Sequence, residues 1–372
     1  MRVKYLMLAL LFGVASRISY ASAKLHVVKP RASFLDVAQR RTQLQNPSTP
    51  RLLAAIQNTR ACTTDAPVDP PVGKIEIPRR YVSGGHGEVD PRESALSQPY
   101  YKIQRLAADG ANRYLIGGDH HESACVLDAL ERWAAAGTLH NYDAEHDSQA
   151  WDQVGWTVAS LSLSVSVIEE DENLNDTELR HVILWLHHVT EKLIAQRKKS
   201  GELRANENNL SYWRGLAATS VGILSSDDEM FTWGALQYQR AIGQLDKDGS
   251  WPLEMERKEL ALHYQSFALE PLVMIAELAR RQGIDLYSLS VHGRSLGDAV
   301  TFLSNAIKDP RLAEKHSGSS QKIDLEADDF FSWLEFWNAR FGPSGLEIYL
   351  NHPWFASRLS GSTTLYAAPD KP

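Results

Sequence analysis

An amide, a guanidinium and a phenol stand at Asn209, Arg257 and Tyr264. Together they could hold an anion, neutralise it and move a proton beside it. An amide donates two N–H bonds, a guanidinium carries fixed positive charge, and a phenol both donates and accepts. Asn209 lies in NENNLSYWRG, residues 206–215, where Asn209, Tyr212, Trp213 and Leu216 recur at helical spacing and share one face. That face reads either as plain core or as a surface of amides and aromatics that holds a sugar. Trp251, in DKDGSWPLE, has the same two readings. Arg257 and Tyr264 lie seven residues apart in RKELALHYQSFAL. If one helix runs through both, two turns bring them to the same face, about 10 Å apart along the axis.

Metal chemistry has weaker support. His140, His146, Asp143 and Asp147 are close in sequence, but neither helical nor strand spacing gathers them. His181, His187 and His188 share a helical pattern with no glutamate between two histidines in the HExxH manner. DKDGSWPLE begins like a calcium loop, yet Arg257 stands at the twelfth position, where a bidentate glutamate belongs. A glycoside hydrolase would need two carboxylates across a cleft, and no spacing links the imaginable pair Asp147 and Glu254. No metal or cofactor is expected.

The elements that must position these residues are helices. Amphipathic helical patterns follow one another from Tyr100 to the C-terminal region, and alternating strand segments are almost absent, which disfavours α/β and sandwich folds. Six or more helical hairpins in one chain suggest an all-α (α/α) toroid or a superhelical array, and the lack of a fixed repeat weakens the array. Ile77 to Ser94, IPRRYVSGGHGEVDPRES, is rich in glycine and arginine. It is either a surface connection or a lid that lays Arg79, Arg80, Tyr81 or His86 over a cleft.

The first 23 residues have a basic start, an apolar run and an Ala21-Ser22-Ala23 cleavage site, the pattern of a secretory leader. Residues 24–372 then form a single domain with no membrane anchor. The formal charge is −7, and without the leader, which carries Arg2, Lys4 and Arg17 and no acid, it is −10. Such a chain is a poor nucleic-acid binder, although a local basic cleft remains compatible with an acidic exterior. An oxidising destination and an even count favour a disulfide between Cys62 and Cys125 over two buried thiols.

Four stretches, CVLDALERWAAAGTL, NNLSYWRG, QLDKDGSWPLE followed by RKELALHYQSFALEPLVMIA, and FASRLSG, together resemble the periplasmic alginate lyases of polysaccharide lyase family five. The resemblance runs from about Ile77 to Tyr366. It implies an incomplete (α/α) toroid with a deep cleft and a lid, and β-elimination on β-1,4-linked mannuronate without a metal. It carries Asn209, Arg257 and Tyr264 over as catalytic residues, and matches Arg80 and Arg358 to basic residues of the lid and cleft. Cys62 and Cys125 match a disulfide pair. The partner implied is an anionic polysaccharide, the compartment the periplasm, and we expect a monomer. One departure stands out: members read NNH where this chain reads NNL, so that Leu210 occupies the position of a catalytic histidine.

A uronate lyase removes the C5 proton beside the C6 carboxylate, which must be neutralised as charge develops. Asn209 and Arg257 suit that task. In mannuronate H5 and O4 lie on the same side, so the Tyr264 phenol can serve as base and then as acid, with Arg257 favouring its phenolate. Tyr212, Trp213 and Trp251 are candidates for stacking on sugars, and His263 for replacing the missing histidine. Leucine neither donates a hydrogen bond nor carries charge, so the alternative is a polymer-binding protein with little or no turnover.

Overall fold

The computed structural model describes residues 24–63, 68–196, 207–327 and 329–368; the leader read at residues 1–23 lies outside them. Two short helices, α1 (Val37–Leu44) and α2 (Pro50–Gln57), form the N-terminal arm. The main body follows as α3 (Pro91–Gly117), α4 (His120–Ala135), α5 (Ser148–Ile168), α6 (Asp176–Ala195), α7 (Asn209–Ser225) and α8 (Asp228–Gly243). Then come α9 (Pro252–Met255), α10 (Ala261–Arg281), α11 (Leu296–Lys308), α12 (Arg311–Ser317), α13 (Leu334–Phe341) and α14 (Thr363–Ala367). Asp90, Asp119, Asp147, Asn175, Asn208 and Asp227 stand at helix starts, where their side chains accept first-turn N–H groups.

The helices form two layers. α3, α5, α7 and α10 pack each against the next as an inner layer, and α4, α6, α8 and α11 lie outside them. Among the described residues α10 makes no comparable packing back onto α3. The turn at Ser357–Leu359 instead packs on α3, α5 and α10. The result is an incomplete toroid, as expected. Inner helices are buried nearly all round; in α7 every residue except Leu210 and Ser225 is buried. Small residues allow such close packing. A Cβ on Gly234 would lie 2.6 Å from the Gly215 carbonyl oxygen, where α7 and α8 meet.

Three boundaries differ from the sequence reading, each for a local reason. The apolar helical pattern that runs from Trp156 to Val167 in the sequence begins in the structure at Ser148, because Asp147 caps α5 by accepting the Ala150 N–H. The lid ends at Asp90, since Asp90 caps α3 and Pro91 fills its first position. Finally, Arg257 and Tyr264 do not share one continuous helix. Lys258 takes φ 55°, a 3-10 turn covers Lys258–Leu260, and α10 begins at Ala261.

Cys62 and Cys125 are joined in a disulfide that ties the arm to α4. It closes a loop with a sequence separation of 63. Chain-entropy arguments assign such a link about 2–4 kcal/mol, acting mainly on the unfolded state. Replacing both cysteines by serine is therefore expected to lower Tm measurably in a thermal melt. Activity per folded molecule at room temperature should stay close to that of the parent, because neither cysteine lines the cleft.

Candidate active site

The N-terminal ends of α5, α7 and α10 open onto one cleft of about 870 Å³, walled by Asp152, Trp156, Leu210, Tyr264, Phe267 and their neighbours. That is room for a few sugar rings. Each helix start aims partial positive charge at the cleft. Arg80, Arg257 and Arg358 add full charges in its lining. A protein with an acidic formal total thus gathers arginines in one cleft, beside Asp152, Glu256 and Asp329.

The lid lies across the cleft. Tyr81 pairs with Val89 in an isolated bridge, and Asp90 N–H donates to the Arg80 carbonyl at 2.8 Å, so the loop is pinched at its base. The loop meets the floor at three points. The Tyr264 hydroxyl donates to the Tyr81 hydroxyl at 3.2 Å, Arg257 Nη1 donates to the Gly85 carbonyl at 3.1 Å, and His86 Nδ1 lies 3.5 Å from Glu259 Oε2. Gly85 suits this approach, since a Cβ there would sit 3.2 Å from Arg257 Nη1.

Tyr264 is the junction of the site. Its ring carries the Arg257 guanidinium 4.1 Å from the centroid, and His263 and Phe267 stand edge-on to it. The helix break at Lys258 does not separate Arg257 from Tyr264, because the guanidinium still reaches the ring. Burial pushes the Tyr264 phenol well above its ordinary pKa, and Tyr81 adds to the rise while Arg257 and Arg80 oppose it. Arg257 does favour the phenolate, as expected, but desolvation outweighs its charge, and the resting group is a neutral phenol.

Asn209 is placed differently from expectation. Asn208 and Leu210 line the cleft, whereas the Asn209 side chain is fully buried behind them. Its Nδ2 donates to Glu254 Oε2 at 2.6 Å and its backbone N–H to Glu254 Oε1 at 2.8 Å, while its Oδ1 has no partner among the described residues. The Glu254 Oε2 also lies 4.0 Å from Arg257 Nε. Burial raises the pKa of Glu254, and the Arg257 charge and the two Asn209 bonds oppose that rise.

Of the expected sugar-binding residues, Arg80, His263 and Arg358 line the cleft. Arg80 pairs with Glu93 at 3.1 Å. Arg358 pairs with Asp329 at 3.2 Å and lies 4.8 Å from the Trp156 centroid. Burial lowers the His263 pKa, with Arg80, Arg358 and Arg257 adding to that and Asp329 opposing, so the imidazole is neutral at pH 7. It can donate one hydrogen bond but does not replace a cation.

Tyr212, Trp213 and Trp251 are corrected from platforms to core. Each is about 1% exposed and none lines the cleft. The Tyr212 hydroxyl donates to Gln244 at 2.5 Å, the Trp251 indole to the Ala241 carbonyl at 2.8 Å, and Trp213 packs on Phe267 with centroids 5.2 Å apart. Helical spacing could not distinguish these readings, because an inner toroid helix is buried on every side. The aromatic wall is instead Tyr81, Trp156 and Phe267 with Tyr264. The sequence reading overlooked Trp156 because it placed that residue at the edge of a polar segment, and Phe267 because it gave the α10 face only two members. Among the described residues the histidine and carboxylate trio with donor atoms within 4.8 Å of one another is His187, His188 and Glu191, on α6 and away from the cleft lining.

An all-α toroid with an arginine-lined, aromatic-walled cleft under a lid belongs to the class of proteins that handle anionic polysaccharides. The comparisons sharpen this. The alginate lyase family model matches residues 85–313, and the chain belongs to the alginate lyase family. A polysaccharide lyase of Stenotrophomonas maltophilia is 29% identical over 325 residues, covering 86% of this chain and 94% of that protein. An alginate lyase of Pseudomonas aeruginosa is 28% identical over 270 residues, covering 70% of this chain and 72% of that protein. The crystal structure of alginate lyase A1-III from Sphingomonas species A1 superposes with TM-score 0.84 at 38% identity, covering 92% of this chain and 97% of that one. Variants of A1-III, one with a histidine replaced by alanine and one with a tyrosine replaced by phenylalanine, were solved in complex with a tetrasaccharide, each with TM-score 0.87.

Proposed function

We propose that this alginate lyase acts on β-1,4-linked mannuronate by syn β-elimination, with Tyr264 as both base and acid. The observation that carries the reading is the Tyr264 hydroxyl, held between lid and floor at 3.2 Å from Tyr81 and beneath the Arg257 guanidinium. That A1-III variants were solved in complex with a tetrasaccharide supports a saccharide polymer as the ligand. The substrate carboxylate is met by Arg257 and the start of α7, which stabilise charge that grows at C5 and C6. The Tyr264 phenolate takes H5, the C4–C5 double bond forms, and the C4–O4 bond breaks. The proton just taken passes from Tyr264 to O4, and the phenolate is regenerated. Tyr81 can turn its hydroxyl toward that phenolate while it exists.

Because H5 and O4 face the same side only in mannuronate and glucuronate, one phenol serves these and not guluronate. The test is to compare rates of unsaturated product on polymannuronate, polyglucuronate and polyguluronate, with and without chelator. Polymannuronate should be turned over fastest, polyguluronate at least about tenfold slower given the single acid–base group, and chelator should leave the rate unchanged. Equal rates on polymannuronate and polyguluronate would overturn the one-phenol mechanism.

A second reading rests on Leu210, which puts an apolar side chain in the cleft wall where the family histidine is expected. On that reading the chain holds polymer with little turnover. Binding to polymannuronate with no unsaturated end after prolonged incubation would select it. We further propose secretion to the periplasm through the leader at residues 1–23 and function as a monomer, checked by fractionation and by light scattering.

A further inference from the structure

We propose that Glu254 is a positioning residue for the elimination, acting through Asn209 and Arg257 without touching substrate; this rests on the lyase reading above. Three observations carry it. Glu254 is fully buried and does not line the cleft. Both of its oxygens are engaged by Asn209, one through the backbone N–H at 2.8 Å and one through the side-chain amide at 2.6 Å. The second oxygen also faces Arg257 Nε at 4.0 Å. One carboxylate thus fixes the start of α7, the rotamer of Asn209 and the stem of the arginine whose guanidinium covers Tyr264.

A buried carboxylate without partners is costly, and here its partners are Arg257, which the elimination uses, and Asn209, which starts α7 behind the cleft wall. An ionised Glu254 accepts only, so the Asn209 amide must turn its NH₂ toward it. That choice leaves Oδ1 without a partner among the described residues while it fixes the amide. The second amide proton of Asn209 then has a defined direction. Arg257 stays aligned between Glu254 on one side and the lid carbonyl of Gly85 on the other. Glutamine at position 254 keeps the volume but reverses this logic. Its NH₂ replaces either Oε2, where it faces both the Asn209 NH₂ and the Arg257 guanidinium, or Oε1, where it faces the Asn209 backbone N–H, so the asparagine amide must flip, the arginine must move or the start of α7 must shift.

The experiment is a double-mutant cycle with Glu254→Gln and Asn209→Ala, read as kcat and KM for unsaturated-product formation on polymannuronate. Glu254→Gln is expected to lower kcat by about 10–100-fold, the scale of a displaced donor, with KM changing far less. In the Asn209→Ala background the further loss should shrink to within about twofold, because both changes disable one arrangement. Glu254→Asp keeps the charge but draws it back by one methylene. Run through the same cycle, it should show the same non-additivity, and it decides the matter if the glutamine variant does not fold. Full kcat in Glu254→Gln, or losses that multiply with Asn209→Ala, would overturn the proposal and leave Glu254 as a helix cap alone. Absence of unsaturated product from the parent chain would instead count against the lyase reading itself.

Discussion

Tyr264→Phe is expected to leave no measurable elimination on polymannuronate, a loss of at least about 10³-fold for a group that acts as both base and acid. The substitution removes one oxygen from a buried ring and keeps its contacts with His263 and Phe267. The hydroxyl's hydrogen bond to Tyr81 is also lost, so binding should weaken slightly through the lid while kcat collapses. The parent should show a further signature. Burial holds the phenol neutral in the resting protein, so the basic form is scarce near neutrality. The sign follows directly: raising pH populates the phenolate, and log kcat should climb toward a slope of one across the neutral and mildly alkaline range. A flat profile there, or a Tyr264→Phe variant that keeps its rate, would refute Tyr264 as the base. Comparing melting curves of parent and variant guards against reading misfolding as lost chemistry.

Leu210→His is expected to raise kcat by about 10–10³-fold, the scale on which one charge-stabilising donor acts. Leu210 lines the cleft one residue inside α7, with its backbone N–H on the Asn208 side chain at 3.1 Å. An imidazole there stands at the positive end of a helix and near Arg257, which favours its neutral form. It would act as an N–H donor to the substrate carboxylate, a bond that strengthens as charge develops, so the gain should appear in kcat more than in KM. The resident His263, which burial also keeps neutral, is the N–H donor already present in the cleft lining, and the added imidazole supplements it. A histidine variant no faster than the parent would show that the cleft already neutralises the carboxylate by other means, Arg80 and Arg358 being the charges available.

The helical architecture was legible because the long helices carry their own period and, α10 excepted, their own cap, with Asp119, Asn175 and Asp227 as instances. Boundaries failed where a single residue decides them, as Asp147 does for α5 and Lys258 for the break before α10. Arg257 and Tyr264 were legible as a pair, but the contact between them is made across that break and not along one helix face. The aromatics show a different limit. Trp213 and Trp156 are the same residue type, both on inner helices, yet one backs the cleft and the other lines it. Which of them faces the cavity depends on how α5, α7 and α10 are rotated about their axes, and one-dimensional periodicity does not encode that when all faces are buried. Glu254 was weighed only as a hydrolase acid, since its partner Asn209 is 45 positions away in sequence.

The claim on which everything else depends is elimination rather than hydrolysis, and one measurement addresses it most directly. Incubated with polymannuronate, the protein should generate new chain ends, counted as reducing sugars, in parallel with ultraviolet absorbance from a 4,5-double bond. The account predicts one unsaturated end for every new reducing end, throughout the reaction. Reducing ends that accumulate without that absorbance would contradict it, because water rather than the C5 proton would then have broken the glycosidic bond.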